Sequence, residues 1–324
     1  MYVNYEQTKM KIINNLFPKI KPIVESIIAD ILTFLQYLWY ATFRRLGLFG
    51  YLGQAIFVAI GSIYATGIPV YCKIFKRDEA DCMTLTTLTI SIVIGIIYFL
   101  VDGIFFKGFL RTSVTITSRA FDSTEIKIKF GNIFYQDGWI VISVNNFFDN
   151  ILDDYHVAEE SLHGQMLKRY WKDSPNDWYE KIKSSIDLTP QQVSRPTAGK
   201  IARYPIGTTG IARSSNGKKF ICVALSPTDV DSCLAHATYN DLLLSLEQVL
   251  NKAREVCPSK PLNFPLLGGN LSRVNLPKNM LLNLLIMQIF NASKEKPITQ
   301  EIRIVLPYKD FSQYNLKAIQ KAWS

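Results

Sequence analysis

Apolar residues dominate the first third of the chain, where two long runs are almost free of charge. Residues 51–71 contain no charged side chain, and residues 85–106 contain one, Asp102, near their end. Each run is long enough to cross a hydrocarbon core, because a spanning helix needs about 20 apolar residues. Core helices of a soluble protein would carry a charged face, which neither run has. The pattern predicts two transmembrane helices joined as a hairpin, with both ends of the chain on one side.

Residues 1–45 form a different kind of segment, basic at first and then amphipathic. The stretch 23–43 is apolar but contains Glu25 and Asp30, and it stops at Arg44 and Arg45. Flanking cations and aromatic residues are typical of a helix that lies in the membrane interface. A third spanning helix, or a helix packed in a bundle or between subunits, stays open as an alternative. The start of the chain has no cleavable signal pattern.

The loop between the two apolar runs is short and hydrophilic. Cations near the hairpin ends slightly outweigh those in the loop, so the positive-inside rule weakly favours cytoplasmic ends. Cys72 and Cys82 bracket the loop. If the loop faces an oxidising space they can form a disulfide, and free thiols are the alternative.

After Thr112 the pattern changes to strands alternating with helices, which predicts an α/β domain over residues 113–324. The run at 139–144 is continuously apolar and rich in Ile and Val, as in a strand buried on both faces. The predicted strands are 114–116, 125–130, 139–144, 201–209, 219–225, 262–265 and 302–306, and the segments 201–209 and 219–225 are predicted to form a hairpin-like pair. The predicted helices are 239–256, 278–292 and 316–323, and residues 159–165 lead into a further helical pattern toward Trp171.

Composition narrows the possible partners. A net charge of +9 and a pI near 9.2 raise nucleic acid, anionic lipid and phosphorylated ligands as candidates. The cations are spread thinly, without a consecutive block, so nucleic-acid binding is disfavoured. No two of the five cysteines form a CxxC pair, and no histidine lies at metal-ligand spacing from them. The sequence therefore predicts no metal site. No Ser/His/Asp or Cys/His grouping supports a catalytic residue.

Two glycine-containing loops are the main candidates for ligand chemistry. Ser161–Gln165 and Gly268–Asn270 each follow a predicted strand and precede a helix. Glycine lets backbone N–H groups point at an anion, and the helix start adds partial positive charge, so the two loops could bracket a diphosphate. Asn145 and Asn146 end the buried strand, where amides can contact a ligand hydroxyl. Tandem asparagine is also a common turn former, and the strand alone favours the turn.

Four motifs, in this order and spacing, resemble those of macro domains, the ADP-ribose-binding modules. They are the turn Gly131-Asn132-Ile133-Phe134, the strand end Val144-Asn145-Asn146, and the loops Ser161-Leu162-His163-Gly164 and Phe264-Pro265-Leu266-Leu267-Gly268-Gly269. Macro domains usually have Asp where Asn132 stands. With a membrane hairpin in front, residues 45–310 are similar to the membrane-anchored macro-domain effectors of the Thoeris anti-phage defence systems.

The resemblance implies an α/β macro-domain-like three-layer sandwich with a mixed sheet, preceded by the α-helical two-helix transmembrane hairpin. It implies a multi-pass protein of the bacterial inner membrane with its carboxyl-terminal domain in the cytoplasm, acting in abortive infection. The macro domain would bind an ADP-ribose derivative, histidine-ADP-ribose, made from NAD by a TIR-domain partner. The effector would then form a homo-oligomer and disrupt the lipid bilayer.

The resemblance therefore implies a protein that senses its ligand, does not turn it over and needs no cofactor. The alternatives are a membrane-tethered ADP-ribosyl hydrolase or ADP-ribose reader, and a small channel with another regulator. Phe147 and Phe148, with Leu162 and His163, are larger than the residues that position water in hydrolytic macro domains, and this difference favours the sensor. His163 could act as a base, although a lone histidine at a helix start more often orients or contacts phosphate.

The resemblance also assigns ligand-binding roles to individual residues. Asn132 and Ile133 would meet the adenine, and Asn145 the distal ribose. The diphosphate would lie between two phosphate loops, formed by Ser161, Leu162, His163, Gly164 and Gln165, and by Leu267, Gly268, Gly269, Asn270 and Leu271.

Overall fold

The computed structural model describes residues 46–75, 85–116, 124–269 and 274–323. The chain divides into two compact units, the first made of Met1–Thr112 with Tyr308–Ala322 and the second of Ser113–Pro307 with Trp323–Ser324. The predicted basic segment and interfacial helix of residues 1–45 lies outside the described residues, as do Cys82, Asn270 and Leu271. Residues 308–322, predicted as part of the carboxyl-terminal domain, group with the first unit.

The first unit is built on two helical segments that run alongside each other. Helix α1 (Leu46–Ser62) continues through a π-helical turn, Ile63–Gly67, into α2 (Ile68–Phe75). Helix α3 (Leu85–Val101) ends in a second π-helical turn, Asp102–Phe106. Among the described residues, one helix, Thr87–Phe106, is long and apolar enough to cross a membrane, and Gly50–Ser62 is a shorter apolar helix. The second predicted span therefore matches this helix, and spanning by either segment stays a prediction.

Small residues allow α1 and α3 to approach closely. A Cβ added to Gly95 would lie 2.7 Å from the Cα of Ile56, and Ser91 and Ala55 are buried. These residues serve packing within the hairpin. Cys72 is buried and disulfide-bonded, while its expected partner lies outside the described residues.

The second unit contains a seven-stranded mixed sheet. Its strands are β1 (Ser113–Ile116), β2 (Glu125–Phe130), β3 (Trp139–Asn145), β6 (Thr209–Arg213), β7 (Lys219–Ser226), β8 (Leu262–Phe264) and β9 (Glu301–Leu306), and β4 (Gln191–Gln192) pairs with β5 (Ala202–Arg203) in a separate ribbon. The strand order in the sheet is β1-β2-β9-β8-β3-β7-β6. The five inner strands are parallel, and β1 and β6 pair antiparallel at the edges.

Helices cover both faces of this sheet. Ile140 and Ile142 of β3 join one core cluster with Met166 of α4 (Leu162–Tyr170) and Trp178 of α5 (Pro175–Ser184). Side chains alternate between faces along a strand, so the fully buried Val141 belongs to the opposite face. Helix α6 (Tyr239–Val256) packs on β7 and against α7 (Lys278–Glu295). The three-layer α/β sandwich with a mixed sheet is confirmed.

One predicted strand is wrong. Residues 201–209 do not form the partner of β7, which is instead β6, joined to it through the turn at 214–218. Pro205 lacks a backbone N–H, and Gly207 has a φ of +86°, so the chain bends before the edge strand begins. Helix α5 was not predicted, although Pro175 at its first position is a common helix start.

Helix α8 (Leu316–Trp323) is the last described element, and it follows a 3-10 turn at Tyr308–Gln313. Helix α8 has the predicted bounds.

Candidate functional site

The carboxyl ends of the parallel strands meet at one edge of the sheet and bring three predicted motifs to it. Strand β2 leads into Asn132, β8 leads into Leu267–Gly269, and β3 ends at Asn145. Open α/β sheets bind ligands at this edge. Strands β9 and β8 lie between β2 and β3, so Asn132 and Asn145 are separated by three strand spacings, roughly 14 Å.

The Asn132 turn is tied to the centre of the sheet. The Gly131 N–H donates to the Leu306 carbonyl at the end of β9, 2.9 Å away. Asn132 caps a 3-10 turn at Ile133–Tyr135, and its Oδ1 accepts from the Phe134 N–H at 3.0 Å. Ile133 is buried beneath the turn. The Asn132 Nδ2 makes no hydrogen bond to the described residues, so it is the donor that this turn presents.

The first predicted phosphate loop opens α4. Ser161 is the N-cap, and its hydroxyl accepts from the Gly164 N–H at 2.9 Å and donates to the Ala158 carbonyl at 2.7 Å. Gln165 Nε2 donates to the Glu160 carbonyl at 2.9 Å and braces the loop. The N–H groups of Leu162 and His163 have no acceptor inside the helix, because the first turn lacks one. The helix dipole adds partial positive charge there.

Gly164 is required by a close approach of the backbone. A Cβ on this residue would lie 2.3 Å from the Ala158 carbonyl oxygen and 2.9 Å from the Glu159 Cα. Both atoms belong to the main chain, so the loop would have to move to admit any side chain.

The His163 imidazole is buried and lies against Trp178, with ring centroids 5.0 Å apart. Burial lowers its pKa to about 3, so the ring is neutral near pH 7. A neutral ring in the core supplies no positive charge to a phosphate. The His163 group suited to a diphosphate is therefore its backbone N–H.

The second predicted phosphate loop begins with a turn at Leu267–Gly269. Leu267 is buried, and Gly268 has a φ of +77°, a conformation that favours glycine. A Cβ on Gly268 would also lie 3.0 Å from Val274 Cγ2. Helix α7 begins at Lys278, where the sequence predicted its start.

Asn145 lies at the predicted ribose end, and both ends of its amide are engaged. Its Nδ2 donates to Asp149 Oδ2 at 2.9 Å, and its Oδ1 accepts from the Asp149 N–H at 3.0 Å. Asn146 holds the neighbouring loop, because its Oδ1 accepts from the Thr228 N–H at 3.1 Å. The tandem asparagines therefore close a turn, the reading that the strand alone favoured. The ribose contact of Asn145 stays a prediction.

A buried ion pair behind Asn145 was not visible in the sequence. Arg195 donates from one terminal nitrogen to both Asp149 oxygens, at 3.0 and 2.9 Å, and neither side chain is exposed. The Lys200 N–H adds a further bond to Asp149 at 2.7 Å, and Arg195 also donates to Cys233 Sγ at 3.0 Å. The pair joins three loops around the end of β3. No local signal links residues so far apart in the chain.

His156 has a carboxylate partner that the sequence analysis missed. Its Nδ1 lies 2.7 Å from Asp153 Oδ2, and its side chain is only 5% exposed. Its backbone carbonyl lies 3.5 Å from Asn145 Nδ2, which puts this pair beside the predicted ribose end. The spacing of three residues inside a loop is the signal that could have found it.

Two grooves lie elsewhere on the second unit. One of about 390 Å³ is lined by Ser185, Gly207 and Gln248, and another of about 490 Å³ by Asn150 and Trp171. Neither is lined by Asn132 or by the glycine loops. In the described part of the chain, no three His, Cys, Asp or Glu residues come together as metal ligands. The strand-end site is thus defined by backbone donors and glycines.

Several solved macrodomain structures are similar to this chain. An Oceanobacillus iheyensis macrodomain with ADP is 13% identical, with a TM-score of 0.39, covering 65% of this chain and 97% of that one. A Trypanosoma brucei macrodomain in complex with ADP-ribose is 9% identical, with a TM-score of 0.41, covering 61% of this chain and 69% of that one. TM-scores this low support no inference on their own.

The sequence comparisons are more informative. The Thoeris protein ThsA of Bacillus amyloliquefaciens (strain Y2) is 28% identical over 259 residues, which cover 76% of this chain and 83% of the relative. The family model described as "Thoeris protein ThsA, Macro domain" matches residues 126–307, more than half of the chain and nearly all of the second unit. The chain therefore belongs to the family of ThsA macro-domain proteins of the Thoeris systems.

Proposed function

We propose that this protein is a membrane effector whose macro domain senses an ADP-ribose derivative at the carboxyl edge of its sheet. The observation that carries the proposal is the start of α4. There a serine cap, a glycine that admits no side chain and two N–H groups without helical acceptors form a cradle for an anion. This cradle belongs to the same edge as Asn132 and Asn145, whose separation of roughly 14 Å suits a ligand with two distinct ends.

Each part of the ligand would use a different group. The adenine lies on the Asn132 turn, where Nδ2 donates to a ring nitrogen, whereas the usual aspartate would accept from the amino group. The diphosphate accepts hydrogen bonds from the N–H groups of Leu162 and His163 on one side and lies against the Leu267–Gly269 turn on the other. The distal ribose faces the turn that Asn145 closes.

The signal reaching this site is an ADP-ribose conjugate, with histidine as the linked group, made by a TIR-domain enzyme that consumes NAD. Binding drives assembly of several copies, and the apolar helices then damage the bacterial inner membrane, with the macro domain on the cytoplasmic side. Family membership and the apolar helix Thr87–Phe106 support this role.

Two features bear on sensing versus hydrolysis. His163 is a poor base near pH 7, because its pKa of about 3 keeps its basicity too low. Phe147 and Phe148, expected to crowd the attacking water, are fully buried, so their size is not an argument for sensing. The Asp153–His156 pair bears on the alternative of a membrane-tethered ADP-ribosyl hydrolase, since a carboxylate orients an imidazole whose own backbone carbonyl lies 3.5 Å from Asn145 Nδ2.

One experiment tests both functions. Purified full chain in lipid nanodiscs is titrated calorimetrically with ADP-ribose, histidine-linked ADP-ribose and AMP, and the mixtures are then analysed by chromatography. A sensor binds the conjugate and returns it intact. Release of free ADP-ribose that is lost in His156→Ala would establish the hydrolase. Failure to bind any of the three ligands would refute both.

A further inference from the structure

The exit of the apolar helix α3 is where two distant parts of the first unit meet. Its terminal π-helical turn, Asp102–Phe106, leaves a set of carbonyls without helical donors, as every helix end does. Such groups are costly near a membrane, where few waters can replace the missing bonds. These carbonyls are therefore expected to accept hydrogen bonds from other parts of the protein.

The first three carbonyls of the turn, from Asp102 to Ile104, are bonded by the turn itself or by the residues just after it. The Asp102 carbonyl accepts from the Lys107 N–H at 2.7 Å, and the Gly103 carbonyl from the Leu110 N–H at 3.0 Å. The Ile104 carbonyl accepts from Arg111 Nε at 2.7 Å. The chain just after the helix thus folds back on its end.

The next three carbonyls are satisfied from the segment around α8. Lys317 Nζ donates to the Phe105 carbonyl at 2.6 Å and also to that of Phe106. Asn315 Nδ2 donates to the Lys107 carbonyl at 3.2 Å. Six consecutive carbonyls, from Asp102 to Lys107, are therefore all bonded, half of them by residues more than 200 positions later.

Packing and charge agree with these bonds. Gly108 has a φ of +73°, and a Cβ there would lie 2.2 Å from Lys317 Cβ, so the two backbones are closely apposed. Arg111 reaches back to Gln320 Oε1 at 3.2 Å, one turn further along α8. The ammonium of Lys317 also lies where the helix dipole favours a cation.

We propose that α8 and Asn315 form a clasp on the exit of α3, and that ligand binding acts on the membrane helix through it. Strand β9, which runs through the centre of the ligand-binding sheet, continues along the chain into this clasp. Movement of β9 is thereby passed to the carbonyl end of α3. This second step rests on the proposed function, whereas the clasp itself does not.

The test compares matched methionine substitutions in the full chain in lipid nanodiscs. Lys317→Met keeps the aliphatic packing on Gly108 and removes the donor, while Lys321→Met changes an exposed lysine on the same helix that bonds no described residue. Hydrogen exchange is followed at the amides of Lys107, Leu110 and Arg111. Loss of a charged donor predicts exchange roughly 10-fold faster in Lys317→Met, unchanged exchange in Lys321→Met and recovery in Lys317→Arg. Equal exchange in both methionine variants overturns the clasp.

Gly108→Ala is a second test of the clasp, because the added Cβ would displace the Lys317 side chain from the carbonyls. It should raise exchange at the same amides. With the TIR-domain partner co-expressed, Lys317→Met is expected to bind the conjugate within two-fold of wild type and to lose growth arrest. Undiminished arrest overturns the coupling. Absence of conjugate binding by the wild type would instead refute the proposed function, and the exchange result would still decide the clasp.

Discussion

Removing one member of the Asp149–Arg195 pair should be among the most destabilising single substitutions in the macro domain. Both side chains are fully buried, and Arg195 makes two of the bonds that neutralise the carboxylate. Arg195→Met would leave that charge with only the Asn145 amide and the Lys200 N–H. Breaking a buried pair in this way costs about 3 to 5 kcal/mol.

The measurement is urea unfolding of the full chain in detergent, followed by fluorescence of the buried Trp139 and Trp178. The expected loss lowers the midpoint by roughly 1 to 2 M, given the usual dependence of unfolding free energy on urea. The control is Lys181→Met, which breaks an exposed pair with Asp177 of similar geometry, 2.8 Å long, and should cost less than about 1 kcal/mol.

A double variant separates the charge from the packing. Arg195→Met with Asp149→Leu removes both charges, so it should be more stable than Arg195→Met alone, since apolar groups can replace a buried pair at little cost. If Arg195→Met destabilises no more than Lys181→Met, the pair is hydrated in solution and the argument from burial fails.

Three further outcomes are expected from the site and the core. Gly164→Ala should weaken conjugate binding and cost about 1 to 3 kcal/mol of stability by overpacking. Gly61→Ala, at a position of α1 where an added Cβ meets nothing within 4 Å, should do neither in calorimetry and thermal melts. The folded pKa of His163 is about 3 and the unfolded value near 6.5, so the unfolded state takes up the proton first as pH falls. Stability is therefore lost below pH 6.5, and from pH 7 to 5 wild type should lose about 2 kcal/mol more than His163→Gln in urea titrations; equal losses would exclude a neutral, buried His163. Burial raises the pKa of the Cys222 thiol to about 12, so iodoacetamide should label it only after unfolding, and mass spectrometry that finds it alkylated in native protein would contradict this.

Local periodicity was enough to predict most elements of the macro domain. The strand at 125–130 alternates and the strand at 139–144 is continuously apolar, and both lie where the pattern placed them. Helix α6 was predicted with its observed bounds, because its apolar residues recur at helical spacing. In the structure Thr238 caps its start. These signals come from neighbouring residues, so they can be recognised in the sequence before the fold is known.

What failed depended on contacts between distant residues. The strand predicted at 201–209 had suitable composition, but tertiary pairing selected Thr209–Arg213 as the partner of β7. Asp149 and Arg195 gave no sign of their pairing, because a buried ion pair leaves no periodic trace. Lys317 looked like an ordinary surface lysine, and only the carbonyl end of α3 gives it a partner. The glycine loops were found because backbone geometry restricts the residue type locally.

The order of strands also has a consequence for how the protein is made. Asn132 and Asn145 are close in sequence, yet the two strands that separate them, β8 and β9, are the last of the sheet to be synthesised. The apolar helices are synthesised before the sheet, and the strand-end site cannot form until about 160 more residues have followed β3, roughly 10 to 30 seconds at ordinary elongation rates. A nascent chain therefore contains its apolar helices before it can form the proposed ligand site. Under the proposed function, a signal already present in the cell would be bound only by chains whose synthesis is complete.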